Sequence, residues 1–258
     1  MAAYHFDRID DLGILRLRAG NANAMNTRVL TGLAAGLNEA RAANLKGLIL
    51  TGDNRFFSAG LDLIEVDAFD REQMRRFIAH WENTMIELFA FPLPVVAAIN
   101  GAAAAGGCLM ALACDYRVMA EDAAIGMTGI RLGISLPAAA LEIARDGIPA
   151  PNLTHVLYSG KLFKSDKARE LGLVNAVVRK EELMDVALKM LREFTQHHGN
   201  PINPIKTALR QSTLTRIRQS AEALQEKFLD FWFSPVAQKG IAEMRNELLF
   251  RKNSKSEA

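Results

Sequence analysis

Residues Leu88 to Cys114 form a stretch without a single charged side chain. A membrane-spanning helix needs about 20 continuous apolar residues, with its backbone polar groups satisfied internally. This stretch is interrupted twice, by Pro92 and Pro94 near its beginning and by Asn100-Gly101 and Gly106-Gly107 further on. The segment in between, Pro94-Val95-Val96-Ala97-Ala98-Ile99, is short and rich in β-branched residues. It reads as a strand buried on both faces. A glycine loop follows, then a helix ending near Ala113. Glycine lets a backbone approach a ligand closely. A helix start presents unpaired N–H groups and a positive dipole end. The pattern predicts a place to hold a developing negative charge.

The flanking sequence alternates strands and helices. Ile14 to Arg18 and Leu45 to Thr51 read as strands, the second closed by Gly52-Asp53-Asn54. Between them, Gly20 to Asn26 is a turn-rich loop, and Asn26 or Thr27 caps a helix running to about Ala43. Met74, Phe77, Ile78, Trp81, Met85 and Leu88 recur at helical spacing and predict a long amphipathic helix. Tyr116 to Ala120 is another strand. The alternation predicts an α/β core. From Pro151 onward the chain reads as largely helical, with helices over 181–198, 201–214, 220–233 and 236–250 and a polar, frayed tail from Arg251 to Ala258. The expected organisation is a core over 1–195 and a helical region over 196–258.

Composition excludes several classes. Half of the 258 residues are hydrophobic and the net charge is +2, a balance that argues against broad nucleic-acid binding. The only cysteines, Cys108 and Cys114, sit in the apolar stretch and read as buried thiols. None of the five histidines has metal-ligand spacing with cysteine or carboxylate, so no metal is expected. The first residues lack a basic region followed by an apolar run, and Asp7, Asp10 and Asp11 disfavour a transit peptide. A cytoplasmic protein without a membrane partner is the expectation.

Two small-residue segments carry candidate chemistry. In Phe57-Ser58-Ala59-Gly60-Leu61-Asp62, the side chains of Ser58, Ala59 and Gly60 are small enough to expose a backbone N–H. In Asn100 to Cys108, Gly106 offers a second donor. Two converging donors stabilise an oxyanion or enolate better than the ground-state carbonyl. Each segment alone also fits an ordinary loop or a close helix–strand contact. The Gly-x-Gly-x-x-Gly, Gly-Lys-Ser/Thr and Gly-x-Ser-x-Gly patterns are absent from the glycine loop, which leaves nucleotide-phosphate and serine-hydrolase readings without support. Trp81 and Met85 read as core, and Lys239, Arg245, Arg251 and Lys252 as a solvated helix face.

Taken together, Phe57 to Leu63, Ile99-Asn100-Gly101 with Ala105 to Leu109, Cys114 to Arg117, Leu132-Gly133-Ile134 and Leu171 to Val174 resemble the crotonase (enoyl-CoA hydratase/isomerase) superfamily, on its isomerase side. The resemblance runs from about Leu12 to Glu247. It implies a spiral of strand–strand–helix units, a C-terminal helical region that builds trimers or hexamers, and an acyl thioester of coenzyme A as substrate, with no other cofactor. It places an oxyanion hole at the N–H groups of Ala59 and Gly106. It also assigns substrate contact to Ser58, Ala59, Gly60, Leu61, Asp62, Leu63, Gly106 and Thr128.

The chain departs from that pattern where proton transfer is done. The positions of the family glutamates are Leu109 and Gly129. Neither side chain exchanges protons, and general acid–base help is worth about 10² to 10⁴ in rate. Other candidate groups are Asp62, Glu142, Asp146 and Arg131. Glu142 is expected on a solvated helix face and Arg131 in a surface salt bridge. Three functions follow: double-bond isomerisation or hydration with a relocated acid or base, decarboxylation of a malonyl-type thioester without one, or acyl-CoA binding without turnover.

Overall fold

The computed structural model describes residues 3–20, 22–53, 55–197 and 201–253. Its order is β1 (Tyr4–Ile9), β2 (Leu12–Leu17), α1 (Thr27–Ala42), β3 (Gly47–Gly52), β4 (Phe56–Ser58), α2 (Leu63–Val66), α3 (Arg71–Phe89), β5 (Val95–Ile99), β6 (Ala102–Ala104), α4 (Gly106–Leu112), β7 (Tyr116–Ala120) and β8 (Ala124–Gly126). A 3-10 turn, Gly129–Leu132, follows. Then come α5 (Ala138–Gly147), α6 (Ala150–Ser159), β9 (Phe163–Lys164), α7 (Ser165–Glu170), β10 (Ala176–Val178), α8 (Leu183–Thr195), α9 (Ile202–Trp232) and α10 (Pro235–Asn253).

The strands sort into two sheets, ordered β1-β2-β3-β5-β7-β10 and β4-β6-β8-β9. The β1–β2 and β8–β9 pairs are antiparallel and the other pairs parallel. Successive pairs β3/β4, β5/β6 and β7/β8 each place one strand in the large sheet and the next in the small one, before a helical segment returns the chain. This is the strand–strand–helix repeat. Every residue of β5 is buried, as its uncharged sequence predicts. Asn26 caps α1 by accepting from the Val29 N–H, and Asp70 with Gln73 forms a capping box on α3.

Several local expectations change. Tyr4–Ile9, for which no strand was expected, is an edge strand of the large sheet. The loop after Asn100 contains β6, and the region after Pro151 contains β9 and β10. The helix expected over 181–198 spans Leu183–Thr195 after a 3-10 turn at Lys180–Glu182; His198 lies outside the described residues. The two helices expected over 201–214 and 220–233 are one helix, Ile202–Trp232. Nothing in 215–219 breaks it: Ile217 is buried and Arg216 reaches Glu142 at 2.6 Å.

A buried ion cluster ties α9 to the core. Asp115 accepts from Lys206 Nζ and Arg210 Nη2, each at 2.7 Å, and from the Val95 N–H at 2.7 Å. Lys206 also donates to the Leu93 carbonyl oxygen at 3.0 Å, and Arg210 donates to the Ala113 carbonyl oxygen at 2.8 Å. Breaking such a pair from one side typically costs about 3–5 kcal/mol. The cluster fixes the start of β5 and the end of α4, which frame the glycine segment. No helix among the described residues is long and apolar enough to cross a membrane.

Candidate active site

The two small-residue segments meet. A Cβ added to Gly60 would lie 2.9 Å from the Ala104 carbonyl oxygen and 3.1 Å from the Gly106 nitrogen, and one added to Gly107 would lie 2.2 Å from the Ser58 carbonyl oxygen. The segments after β4 and β6 pack backbone to backbone, and only glycine permits that separation. Gly60 has φ +84°. Ala105, just before Gly106, has φ +48° and ψ −112°. A non-glycine residue held there stores about 1–3 kcal/mol of strain. That conformation sets the direction of the following peptide, which carries the Gly106 N–H.

One expected donor is corrected. The Ala59 N–H donates to the Ala22 carbonyl oxygen at 3.0 Å, so it is already engaged. The donor left over is Leu61. Met25 and Leu61 form an isolated parallel bridge in which the Met25 N–H donates to the Gly60 carbonyl oxygen at 2.7 Å and the Asp62 N–H donates to the Met25 carbonyl oxygen at 3.0 Å. In a parallel bridge the residue between those bonds turns its own N–H the other way. Among the described residues, neither the Leu61 nor the Gly106 N–H donates to a protein acceptor.

The remaining residues of the first segment shape it. Ser58 Oγ donates to the Asn23 carbonyl oxygen at 2.8 Å and accepts from the Gly60 N–H at 3.3 Å. Asp62 caps α2, accepting from Ile64 N–H at 3.2 Å and from Asn26 Nδ2 at 3.1 Å. Leu63 is buried in the core. Thr128 is half-buried and opens the 3-10 turn that carries Gly129.

Sequence reasoning missed Asn23, which is fully buried at φ +44°. Its side chain accepts from the Ala19 N–H and donates to the Phe56 and Phe57 carbonyl oxygens, closing the loop against β4. An Asn-rich turn was the only available signal. Trp81 lies in the core as expected, and its Nε1 also sits 3.6 Å from where a Gly106 Cβ would be.

The proton-transfer candidates separate clearly. Leu109 is buried, and a Cβ on Gly129 would meet nothing within 4 Å. Glu142 is not solvated: it is buried between Arg145 and Arg216, each at 2.6 Å, because α9 packs over its face of α5. Asp146 accepts from Thr213 Oγ1 at 2.9 Å. Arg131 is exposed and forms no ion pair among the described residues. Arg245 is not simply solvated, since it pairs with the mostly buried Asp67. The carboxyl that sequence reasoning overlooked is Glu82, buried on α3 and accepting from the Ala139 N–H at 2.8 Å. Burial pushes its proton affinity up from the ordinary carboxylate range, and that single backbone bond opposes the shift. No cation pairs with it among the described residues.

The sequence profile of the enoyl-CoA hydratase/isomerase family matches residues 12–247. The chain belongs to that family. Human mitochondrial enoyl-CoA delta isomerase 1 is 28% identical over 237 residues, covering 89% of this chain and 78% of its own length. The 2,3-dehydroadipyl-CoA hydratase of Escherichia coli (strain K12) is 31% identical over 203 residues, 76% of each chain. The crystal structure of human mitochondrial delta3-delta2-enoyl-CoA isomerase superposes with a TM-score of 0.91 at 26% identity, covering 97% of this chain and 99% of that one. The two sheets and the helical C-terminal region of this family member are therefore the crotonase fold. It is an enzyme of the hydratase/isomerase kind, acting on acyl-CoA.

Proposed function

We propose that this chain stabilises the enolate of an acyl-CoA thioester between the N–H groups of Leu61 and Gly106, in double-bond isomerisation or hydration. The observation that carries the reading is the pair of N–H groups left without protein acceptors where the two glycine segments touch. The thioester oxygen gains charge as the enolate forms, so fixed donors bind the transition state more strongly than the substrate. In this reading Ser58 to Leu63 and Thr128 line the ligand path, and Ala59 contributes shape rather than a hydrogen bond. The assembly proposed is a homotrimer or a pair of trimers, acting in the cytoplasm.

A second reading is favoured by Leu109 and Gly129. Decarboxylation of a malonyl-type thioester forms the same enolate by losing carbon dioxide, and needs no protein base to start. Purified protein assayed with 2-enoyl, 3-enoyl and malonyl-type CoA thioesters of several lengths separates the two. Hydration or double-bond migration supports the first reading, and carbon dioxide release supports the second. Gly106→Pro removes one donor and should lower whichever rate is found by about 10² to 10³. A folded Gly106→Pro protein with an unchanged rate refutes the assignment. Tight binding with no product leaves a binding protein and refutes both reactions.

A further inference from the structure

Met25 touches both halves of the donor pair, once through its backbone and once through its sulfur. Its N–H and C=O bond to Gly60 and Asp62, the two neighbours of Leu61, at 2.7 and 3.0 Å. Those bonds fix the peptide plane of Leu61 and aim its N–H away from the bridge. The Met25 side chain then runs to the other segment. Its Sδ lies 3.1 Å from the position of a Gly106 Cβ and accepts from Trp81 Nε1 at 3.2 Å. Met25 is 1% exposed and Trp81 3%.

We propose that Met25 is a positioning residue for the anion hole, holding the Leu61 and Gly106 donors in register through its backbone bridge and its sulfur–indole contact. The inference rests on the function proposed above and goes beyond it, because it says what sets the spacing of the two donors.

The chemistry of the residue fits the task. Methionine is ordinarily flexible, and here the indole N–H removes that freedom by fixing the sulfur. Thioether sulfur is a weak acceptor, so it orients the indole without competing for the backbone donors. Leucine at this position would fill a similar volume but leave the buried Trp81 N–H unpaired. The indole would then turn toward another acceptor and drag the packing at Gly106 with it. Misplacing donors by a fraction of an ångström is enough to weaken catalysis while leaving the substrate bound.

The test uses the whole protein and an aryl-acryloyl thioester of coenzyme A. Its absorption band moves to the red when donors polarise the carbonyl, and this readout needs no turnover. Met25→Leu and Trp81→Phe each remove the sulfur–indole contact from a different side, so one remains informative if the other does not fold. Each is expected to cut the red shift by about half or more and lower kcat by about tenfold, with KM within about twofold. The double variant should be no worse than either single one, because both break the same contact. A full red shift in both single variants overturns the role of Met25 and leaves the anion hole standing. Losses that multiply in the double variant overturn it as well. Wild-type protein that binds the thioester with no red shift refutes the anion hole itself, before any variant is made.

Discussion

Gly60→Ala is the sharpest test of the backbone contact on which the site depends. Gly60 has φ +84°, where an L-residue costs about 1–2 kcal/mol. The new Cβ would also lie 2.9 Å from the Ala104 carbonyl oxygen, 3.1 Å from Ala105 Cβ and 3.1 Å from the Gly106 nitrogen. Two of these are backbone atoms and the third is the short, rigid Cβ of Ala105, all on the run from the end of β6 to the start of α4, so no flexible side chain can yield. Moving that backbone adds about 1–3 kcal/mol by comparison with overpacked cores. Gly20 supplies the control, since it has φ +74° and nothing within 4 Å of an added Cβ. Gly20→Ala therefore carries only the conformational cost of about 1–2 kcal/mol. Urea unfolding of both variants at one protein concentration, with unchanged m-values, isolates the difference. Gly60→Ala should be the less stable by about 1–3 kcal/mol, and its Gly106 donor should be displaced. The rate should then fall by about 10²-fold, while Gly20→Ala keeps wild-type turnover. Equal stability losses, or an active Gly60→Ala protein, would refute the close approach as the organising contact.

Three further outcomes are expected. Gly129→Glu places a carboxyl where there is open space for a side chain, and should raise double-bond migration by as much as about 10² to 10⁴; a folded variant with no gain would show that the neighbouring pocket has also changed. Glu82 holds its proton more tightly in the folded chain than in the unfolded one, so the folded state binds more protons above the ordinary carboxylate pKa and stability falls as pH rises through that window; Glu82→Gln should flatten the slope and stabilise the protein at neutral pH, checked by unfolding at stepped pH. Burial pushes the Cys108 and Cys114 thiols up to about 12, so neither should react with an alkylating agent at pH 8 until denaturant is added, and rapid labelling of the native protein would contradict their burial.

The elements with strong local signals were legible. The β5 strand announced itself by β-branched residues without charge, α1 by its Asn26 cap, and α3 by its apolar spacing. Strands of two or three residues, such as β4, β6, β8 and β9, carry no periodicity of their own. They exist because distant strands offer them partners. The continuity of α9 was hidden for a related reason, since Arg216 and Ile217 are held by α5 and the core rather than by neighbours in sequence. The candidate site shows the same division. The motif located both segments, while the free N–H within the first was set by the Met25–Leu61 bridge, to which no local pattern points.

Charge placement limits which carboxylates of this fold could serve in proton transfer. Four of them are already committed to architecture. Asp62 caps α2, Asp67 holds Arg245 of α10, Asp115 anchors Lys206 and Arg210 of α9, and Glu142 is shared by Arg145 and Arg216. Turning any of them into a general base would break a cap or leave a cation without its counter-ion, and for a buried pair that costs about 3–5 kcal/mol, a large share of a domain's stability. The backbone donors are free of that conflict, because an N–H already turned out of the bridge at Leu61, or standing at the start of α4, has no structural partner to lose. The proposed enolate-binding half of the chemistry therefore rests on the fold's own backbone and asks nothing of the side chains at Leu109 and Gly129. Glu82 differs from these carboxylates, since it combines a raised proton affinity with no counter-ion among the described residues. Supplying a carboxyl by Gly129→Glu, rather than by freeing a paired carboxylate, is thus the change the architecture tolerates best.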